Sequence, residues 1–348
     1  MKKIYLLPLF FLLLVVTFGQ IPANYYTNAE GKQNKELKAA LSVIITNGYN
    51  ERTYKELWSD FYTTDVRPDG KVWDMYSNCS FTFGTDQDNG TGGTKECDWY
   101  NREHSVPESW FNGGKPMYTD LFHLYPTDKY VNNQRGNFPF GEVGGGTTYS
   151  NGSKRGNGTA ESGYTSTVFE PIDEYKGDFA RTYFYMTTRY PNTNLSQTGE
   201  GQVVFSYTNS KSDLTDYAIN LFLKWHRNDP VSEKETDRNN TVYGIQKNRN
   251  PFIDYPELVE YIWGNHQNEA WHSTQGVSET TLPTIKITRC HNGINIEGTK
   301  PNAQIEFYSV LGQNVYTTQL SSDFLSLEHL KRGFYIIKVD GYAQKMVW

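Results

Sequence analysis

Polar and apolar positions divide the chain into stretches with different rhythms. Residues 1–19 open with Lys2 and Lys3, run almost wholly apolar from Ile4 to Val16, and close on the small residues Thr17 and Gly19. A charged head, a short apolar core and a small-residue cut site form the pattern of a secretory signal, here removed before Gln20. The run is shorter than the roughly 20 residues a membrane-spanning helix needs, so no stable membrane span is expected. From 20 to 268 parts of the chain carry a helical period. Phe179, Tyr183, Met186 and Tyr190 recur every three or four positions after Gly177-Asp178, which predicts a helix with one buried stripe. A second helix is predicted from Asp213, with Leu214, Tyr217, Ala218, Leu221, Phe222 and Trp225 on one side, and a third from Pro256, with Val259, Ile262 and Trp263. Residues 141–165 are rich in Gly, Ser, Asn and Thr and predict a long mobile surface loop. Residues 269–283 lack a period and predict a linker. Beyond 284 the period becomes two. The segments IKI, GINIEG, AQIEFYSV, QNVYTTQL and GFYIIKVDG, separated by Gly, Pro and Asn turns, predict a small β-sandwich over 284–348.

Composition sharpens this division. The 348 residues are 37% hydrophobic, too polar for a multi-span membrane protein, while 15% aromatic content with 26 tyrosines still supplies a core. The chain carries 33 basic and 39 acidic side chains, net −6, which argues against gripping nucleic acid by bulk positive charge. Without Lys2 and Lys3 the net charge is −8. The tail from 284 has seven basic and five acidic residues, leaving 24 against 34, net −10, before it. Three cysteines are too few for a disulfide scaffold, and none form a Cys-x-x-Cys pair. In an exported protein Cys79 and Cys97 are expected to pair, closing a loop worth about 3 kcal/mol; the alternative is two buried thiols. Cys290 is expected to be unpaired.

Reactive residue types concentrate in Tyr100–Phe140. Glu103 and His104 are adjacent, followed by His123, Asp128, Asn132, Asn133, Arg135 and Asn137. An imidazole accepts a proton from water near neutral pH, and carboxylate and amide oxygens are hard ligands for Mg²⁺ or Ca²⁺. A divalent ion, a free histidine and an arginine together suit phosphodiester hydrolysis. Neighbours on a regular strand face opposite ways, so Glu103 and His104 can share a site only where the strand bends or ends; Pro107 fits an ending strand.

The run NREHSVPESWF, followed by DLFHLYPTDKYVNNQRGNF, resembles the bacterial endonuclease I family. Further matches are FEPIDEYKGDFARTYFYMTTRY (169–190), LFLKWHRNDPVSEKETDRNN (221–240) and NRNPFIDYPELVEYIW (248–263). The resemblance implies an α+β nuclease domain over 20–268, with several helices around a ββα-metal (His-Me finger) motif. It implies His104 as general base and Glu103 and Asn132 as metal ligands. Arg135 and Asn137 then brace the finger or approach phosphate, two roles that stay open. The implied ion is Mg²⁺, with Ca²⁺ or Mn²⁺ as alternatives, and the implied reaction is cleavage of DNA, with RNA as an alternative, leaving 5′-phosphate and 3′-hydroxyl ends. Phe122 stands where related sequences carry a polar residue, and His123 reads better as a hydrogen-bonding structural residue than as a second base. The rival is a non-catalytic surface-binding protein on the same scaffold; the presence of Glu103, His104 and Asn132 argues against it.

Other residues have blander readings. Asp86-Gln-Asp88-Asn-Gly90 lacks the spacing of a calcium loop and reads as a polar turn. His226 is expected to sit at the end of a helix, and Arg181 to pair with Glu170 or Asp178. Lys115, Lys154, Arg155 and Arg249 are candidate backbone contacts for a nucleic acid. Trp99, Tyr100, Trp110 and Phe111 are candidate stacking residues, with core packing as the commoner role. The tail resembles type A C-terminal sorting domains of type IX secretion, through NGINIEG, IEFYSVLGQNVY, LKRGFYIIKVDG and a closing Lys345. That resemblance implies type IX machinery as a partner and a secreted or cell-surface location; a retained carbohydrate- or surface-binding β-sandwich is the alternative. The acidic charge before 284 then implies weak, salt-sensitive, metal-dependent substrate binding, carried by a local basic patch.

Overall fold

The computed structural model describes residues 21–273 and 285–348, apart from 291, 300–302, 310–312, 321 and 340–341. The signal-like segment 1–19 lies outside them. Two compact units divide between Ser273 and Thr274. Among the described residues no helix is long and apolar enough to cross a membrane.

In the first unit α1 (Asn34–Thr46) buries Leu37, Leu41, Ile44 and Ile45, one stripe of a 3.6-residue period. α2 (Leu57–Thr64) buries Leu57 and Phe61. β1 (Tyr100–His104) and β2 (Leu124–Asp128) then pair antiparallel, with Glu103 opposite Tyr125 and His104 opposite Leu124. α3 (Lys129–Arg135) follows without a break because Asp128 ends β2 and caps the helix, its carboxylate accepting from the Val131 N–H at 3.0 Å.

The segment 141–165 is not a loop throughout. β3 (Val143–Thr148), β4 (Lys154–Gly158) and β5 (Thr167–Glu170) form an antiparallel sheet in that order. Gly146 lies opposite Gly156, and a Cβ on either would stand 2.1 Å from a backbone oxygen of the partner strand. Glycine therefore builds this ribbon instead of breaking it, and it leaves no alternation of side chains for a sequence pattern to reveal.

α4 (Asp173–Arg189) is the central helix, buried along most of its length. It begins four residues ahead of Gly177-Asp178. Gly177 lies within it because a side chain there would strike the Asp229 carbonyl at 2.1 Å. α5 (Gly199–Val204) leads into the hairpin of β6 (Phe205–Thr208) and β7 (Lys211–Leu214). Asp213 and Leu214 thus belong to a strand, and α6 (Asp216–Asn228) starts after Thr215, whose hydroxyl accepts from the Ala218 N–H. α7 (Glu233–Gln246) opens on a capping box between Ser232 and Glu235. Short helices α8 (Pro251–Asp254) and α9 (Leu258–Ile262) complete the unit, the second two residues beyond Pro256. α1 and α6 pack on α4, and α9 packs on α1.

The stretch predicted as a linker from 269 enters this core first. Trp271 is fully buried, its ring 5.2 Å from Tyr255, and its backbone pairs with Gly31 and Lys32. An isolated tryptophan carries no period, so the pattern could not mark it.

The second unit holds seven strands among the described residues. β8 (Lys286–Arg289), β9 (Gly293–Glu297) and β12 (Phe324–Ser326) form one sheet in the order β12-β9-β8. β10 (Gln304–Ser309), β11 (Asn314–Gln319), β13 (Phe334–Val339) and β14 (Tyr342–Val347) form the other, ordered β11-β10-β13-β14. Ile294, Ile296, Ile305, Phe307, Ile337 and Val339 make its core, as alternation predicts.

Candidate active site

β1 ends at His104, so Glu103 and His104 escape strict alternation and both are buried. The Glu103 carboxylate sits between two partners on Oε1: the Tyr76 hydroxyl donates at 2.8 Å and the Arg135 guanidinium lies 3.1 Å away. Oε2 has no partner among the described residues and reaches solvent. Burial raises the Glu103 pKa to about 7, against the lowering pull of Arg135 and Tyr76.

His104 is fixed by the ring nitrogen facing the protein. Its Nε2 donates to the Tyr118 carbonyl at 3.0 Å, which leaves Nδ1 as the acceptor. Nδ1 has no partner among the described residues and is not sealed from solvent. The ring stacks on Tyr118 at 5.1 Å and lies nearly parallel to Tyr54 at 6.0 Å. Burial, with His123, Arg102 and Arg135 nearby, lowers its pKa to about 3, so the imidazole stays neutral down to acid pH.

Asn132 lies on α3, and its amide donates to Asn101 Oδ1 at 2.9 Å. Asn101 and Glu103 are two apart on β1 and share a face, so this bond holds Asn132 over the face that carries Glu103. Asn132 Oδ1 has no partner among the described residues. Arg135, one turn on, is fully buried. Its guanidinium donates to the carbonyls of His104 (3.1 Å), Ser105 (2.6 Å) and Gly136 (3.3 Å) and contacts Tyr183 Oη (3.5 Å). Asn137, past the helix end, is exposed.

The remaining candidates separate cleanly. His123 is fully buried, with Nε2 donating to the Met117 carbonyl at 2.6 Å. Tyr100, Trp110 and Phe111 are core, while Trp99 is half-buried. Arg249 is buried in a two-bond pair with Asp254, not a surface cation. Lys115 is exposed beside Glu51 (3.3 Å), Lys154 lies 3.9 Å from Glu170, and Arg155 binds Gln134 of α3. Arg181 pairs chiefly with Glu235, with Asp178 farther off at 3.8 Å. Cys79 and Cys97 form a disulfide with Cα atoms 5.2 Å apart, and Cys290 is free.

Sequence reasoning passed over several supports. Tyr76 holds Glu103; Tyr183 donates to the Ser105 carbonyl at 2.6 Å; Arg238 binds Asp65 and the carbonyls of Leu121 and Leu124 at the entry to β2. Arg102 lies over Tyr54 and Trp58 at 3.5 and 4.2 Å. None belongs to a local motif, since each partner is distant in sequence.

Glu103 Oε2 and Asn132 Oδ1 are hard oxygen donors left uncommitted on adjoining elements, a set that fits a Mg²⁺-like ion completing its shell with water. The one cluster of three His, Cys, Asp or Glu groups among the described residues, Cys79, Cys97 and Asp128, does not fit, because the disulfide consumes both thiolates. An imidazole acceptor next in sequence to Glu103, with Asn132 on a helix that packs on the same strand, can serve hydrolysis. A family model described as Endonuclease I matches residues 33–257. The extracellular ribonuclease of Bacillus subtilis (strain 168) is 36% identical over 251 residues, 69% of this chain and 78% of that protein. The extracellular ribonuclease of Bacillus amyloliquefaciens is 36% identical over 261 residues, 72% of this chain and 81% of that protein. Endonuclease-1 of Buchnera aphidicola subsp. Acyrthosiphon pisum (strain APS) is 24% identical over 169 residues, 43% of this chain and 58% of that protein. The chain belongs to the endonuclease I family and is a nuclease, a phosphodiester hydrolase. A model described as a secretion system C-terminal sorting domain matches residues 290–347, so the tail is a sorting domain and the protein is secreted or held at the cell surface.

Proposed function

We propose that β1, β2 and α3 form a ββα-metal finger, and that the protein is a secreted, metal-dependent endonuclease cutting DNA and RNA with little sequence preference. The observation that carries this reading is the His104 ring, held by Nε2 with Nδ1 uncommitted among the described residues, on the strand that carries Glu103 and against which the Asn132 helix packs. In this mechanism Nδ1 takes the proton from the attacking water, and the Tyr118 carbonyl holds the ring in that tautomer through its bond to Nε2. Glu103 and Asn132 would hold a divalent ion, Mg²⁺ in the simplest case, which would supply positive charge at the scissile phosphate and the leaving oxygen. Arg135 braces the finger, because its guanidinium is spent on buried carbonyls and Glu103. Asn137, being exposed, is the member of that pair free to reach phosphate. Cleavage leaves 5′-phosphate ends. The two ribonucleases among the relatives favour RNA as a substrate alongside DNA. Export proceeds by the signal at 1–19 and type IX machinery acting on the tail.

The test is digestion of plasmid DNA and of structured RNA with Mg²⁺, Mn²⁺ or Ca²⁺, with EDTA, and with His104→Ala. Loss of general-base catalysis costs about 10²–10⁴-fold. A His104→Ala protein retaining more than about a tenth of wild-type activity, or cleavage that survives EDTA, rules the mechanism out.

A further inference from the structure

A cavity of about 590 Å³ opens between α1 and the β6–β7 hairpin, within the range of small-molecule sites. No residue of β1, β2 or α3 lines it, so it stands apart from the hydrolytic site. Three lysines converge on it from two elements: Lys35 and Lys38 from α1, Lys211 from β7. One carboxylate, Asp213, faces them, and it is heavily shared. Its Oδ1 accepts from Lys38 Nζ at 2.8 Å, Trp263 Nε1 at 3.1 Å and the Leu214 N–H at 2.9 Å. Lys38 is buried and further held by Thr187 Oγ1 at 3.2 Å. Burial lowers its pKa, and the nearby Lys35 adds to the lowering. Among the described residues Lys211 has only a neutral partner, the Asn192 amide oxygen, and the exposed Lys35 has no carboxylate partner.

Three ammonium groups against one carboxylate leave a formal charge of about +2 in a chain that is net acidic. A phosphomonoester carries about −1.5 to −2 at neutral pH, so it matches that charge where a carboxylate would not. The cavity is also far larger than a lone phosphate needs. Ala39, Val43 and Pro191 give it an apolar side, and Val43 is 66% exposed there. Hydroxyls and amides complete the lining, including Ser42 and Asn209. We propose that this cavity is a nucleotide-binding site, taking a terminal phosphate at Lys35 and Lys211 and the sugar and base over Ala39, Val43 and Pro191. Its occupant is a nucleotide bearing a phosphomonoester, either free or at the end of a strand. The proposal does not depend on the catalytic reading, because binding here needs no metal and no cleavage.

The experiment is calorimetric or NMR titration of the full chain in EDTA, with the strands checked for integrity after each titration. The probes are 5′-AMP, adenosine, inorganic phosphate, and a trinucleotide with and without a 5′-phosphate. The proteins are wild type, Lys35→Glu, Lys211→Gln and His104→Ala, each checked for an unchanged melting transition. The expected result is that AMP binds more tightly than adenosine or phosphate, and that each lysine variant weakens it by about tenfold or more, the scale of one charge-assisted contact. His104→Ala should leave it unchanged. Tighter binding of AMP than of the phosphorylated trinucleotide marks the free nucleotide as occupant; the reverse order marks a strand end. AMP affinity unmoved by both lysine variants, affinity lost in His104→Ala, or phosphate binding as tightly as AMP would overturn the proposal.

Discussion

Arg135 gives the sharpest test of how the finger is held. Replacing it with methionine removes the cation but keeps an unbranched apolar stem. The structure then leaves Glu103 buried with one hydrogen bond, from Tyr76, and takes donors from the His104, Ser105 and Gly136 carbonyls. Breaking a buried pair by removing one member costs about 3–5 kcal/mol. For a domain of this size each kcal/mol lowers the melting midpoint by roughly 2–4 °C, so the expected drop is about 6–20 °C. The assay is thermal unfolding by circular dichroism in EDTA, paired with steady-state cleavage at temperatures where the variant is still folded. Arg135→Lys should recover only part of the loss, since one ammonium cannot replace the planar fork that serves the His104, Ser105 and Gly136 carbonyls together. A midpoint within about 2 °C of wild type, together with a raised KM, would refute bracing and assign Arg135 to the phosphate.

Three further outcomes follow from the packing. His226 is buried with its pKa lowered to about 4, chiefly by burial and then by Arg181. The unfolded chain therefore binds its proton first, and stability present above about pH 6.5 is lost as pH falls toward 4, by on the order of 3 kcal/mol. Asp229 and Glu235 nearby, raised to about 6 and about 7, act in the opposite sense. Urea unfolding of wild type against His226→Asn across pH 7 to 4 isolates the histidine; parallel curves would contradict it. Reducing the Cys79–Cys97 disulfide, whose ends are 18 positions apart in sequence, should cost about 3 kcal/mol; equal urea midpoints with and without reductant would count against this. Gly177→Ala should destabilise by about 1–3 kcal/mol, because its Cβ meets the Asp229 backbone carbonyl at 2.1 Å; a variant as stable as wild type in calorimetry would show that the contact yields freely.

Local signals proved legible and distant ones did not. The tail announced its strands because alternation needs only neighbouring residues, and the Glu103-His104 pair stood out because the two are adjacent. The ribbon from Val143 to Gly158 has the composition of a loop, since glycine pairs such as Gly146 and Gly156 contribute geometry without a side-chain period. Gly177 reads as a breaker and so hides the four residues of α4 ahead of it, although its missing side chain is what lets the Asp229 carbonyl approach. Sequence spacing points Arg181 to near neighbours, yet its main partner Glu235 lies 54 residues away. Tyr76, 27 residues from Glu103, was likewise beyond any spacing rule.

Trp271 sets where the polypeptide can be severed. Its indole is enclosed by the first unit and its backbone is tied to Gly31 and Lys32. A protease cutting just ahead of it would strip a large aromatic from a finished core, a loss of about 3–5 kcal/mol. A cut past Ser273 would leave every buried side chain of that unit in place. The boundary for releasing, trimming or grafting the nuclease is thus fixed by one indole ring, not by the onset of the Ser/Thr-rich stretch.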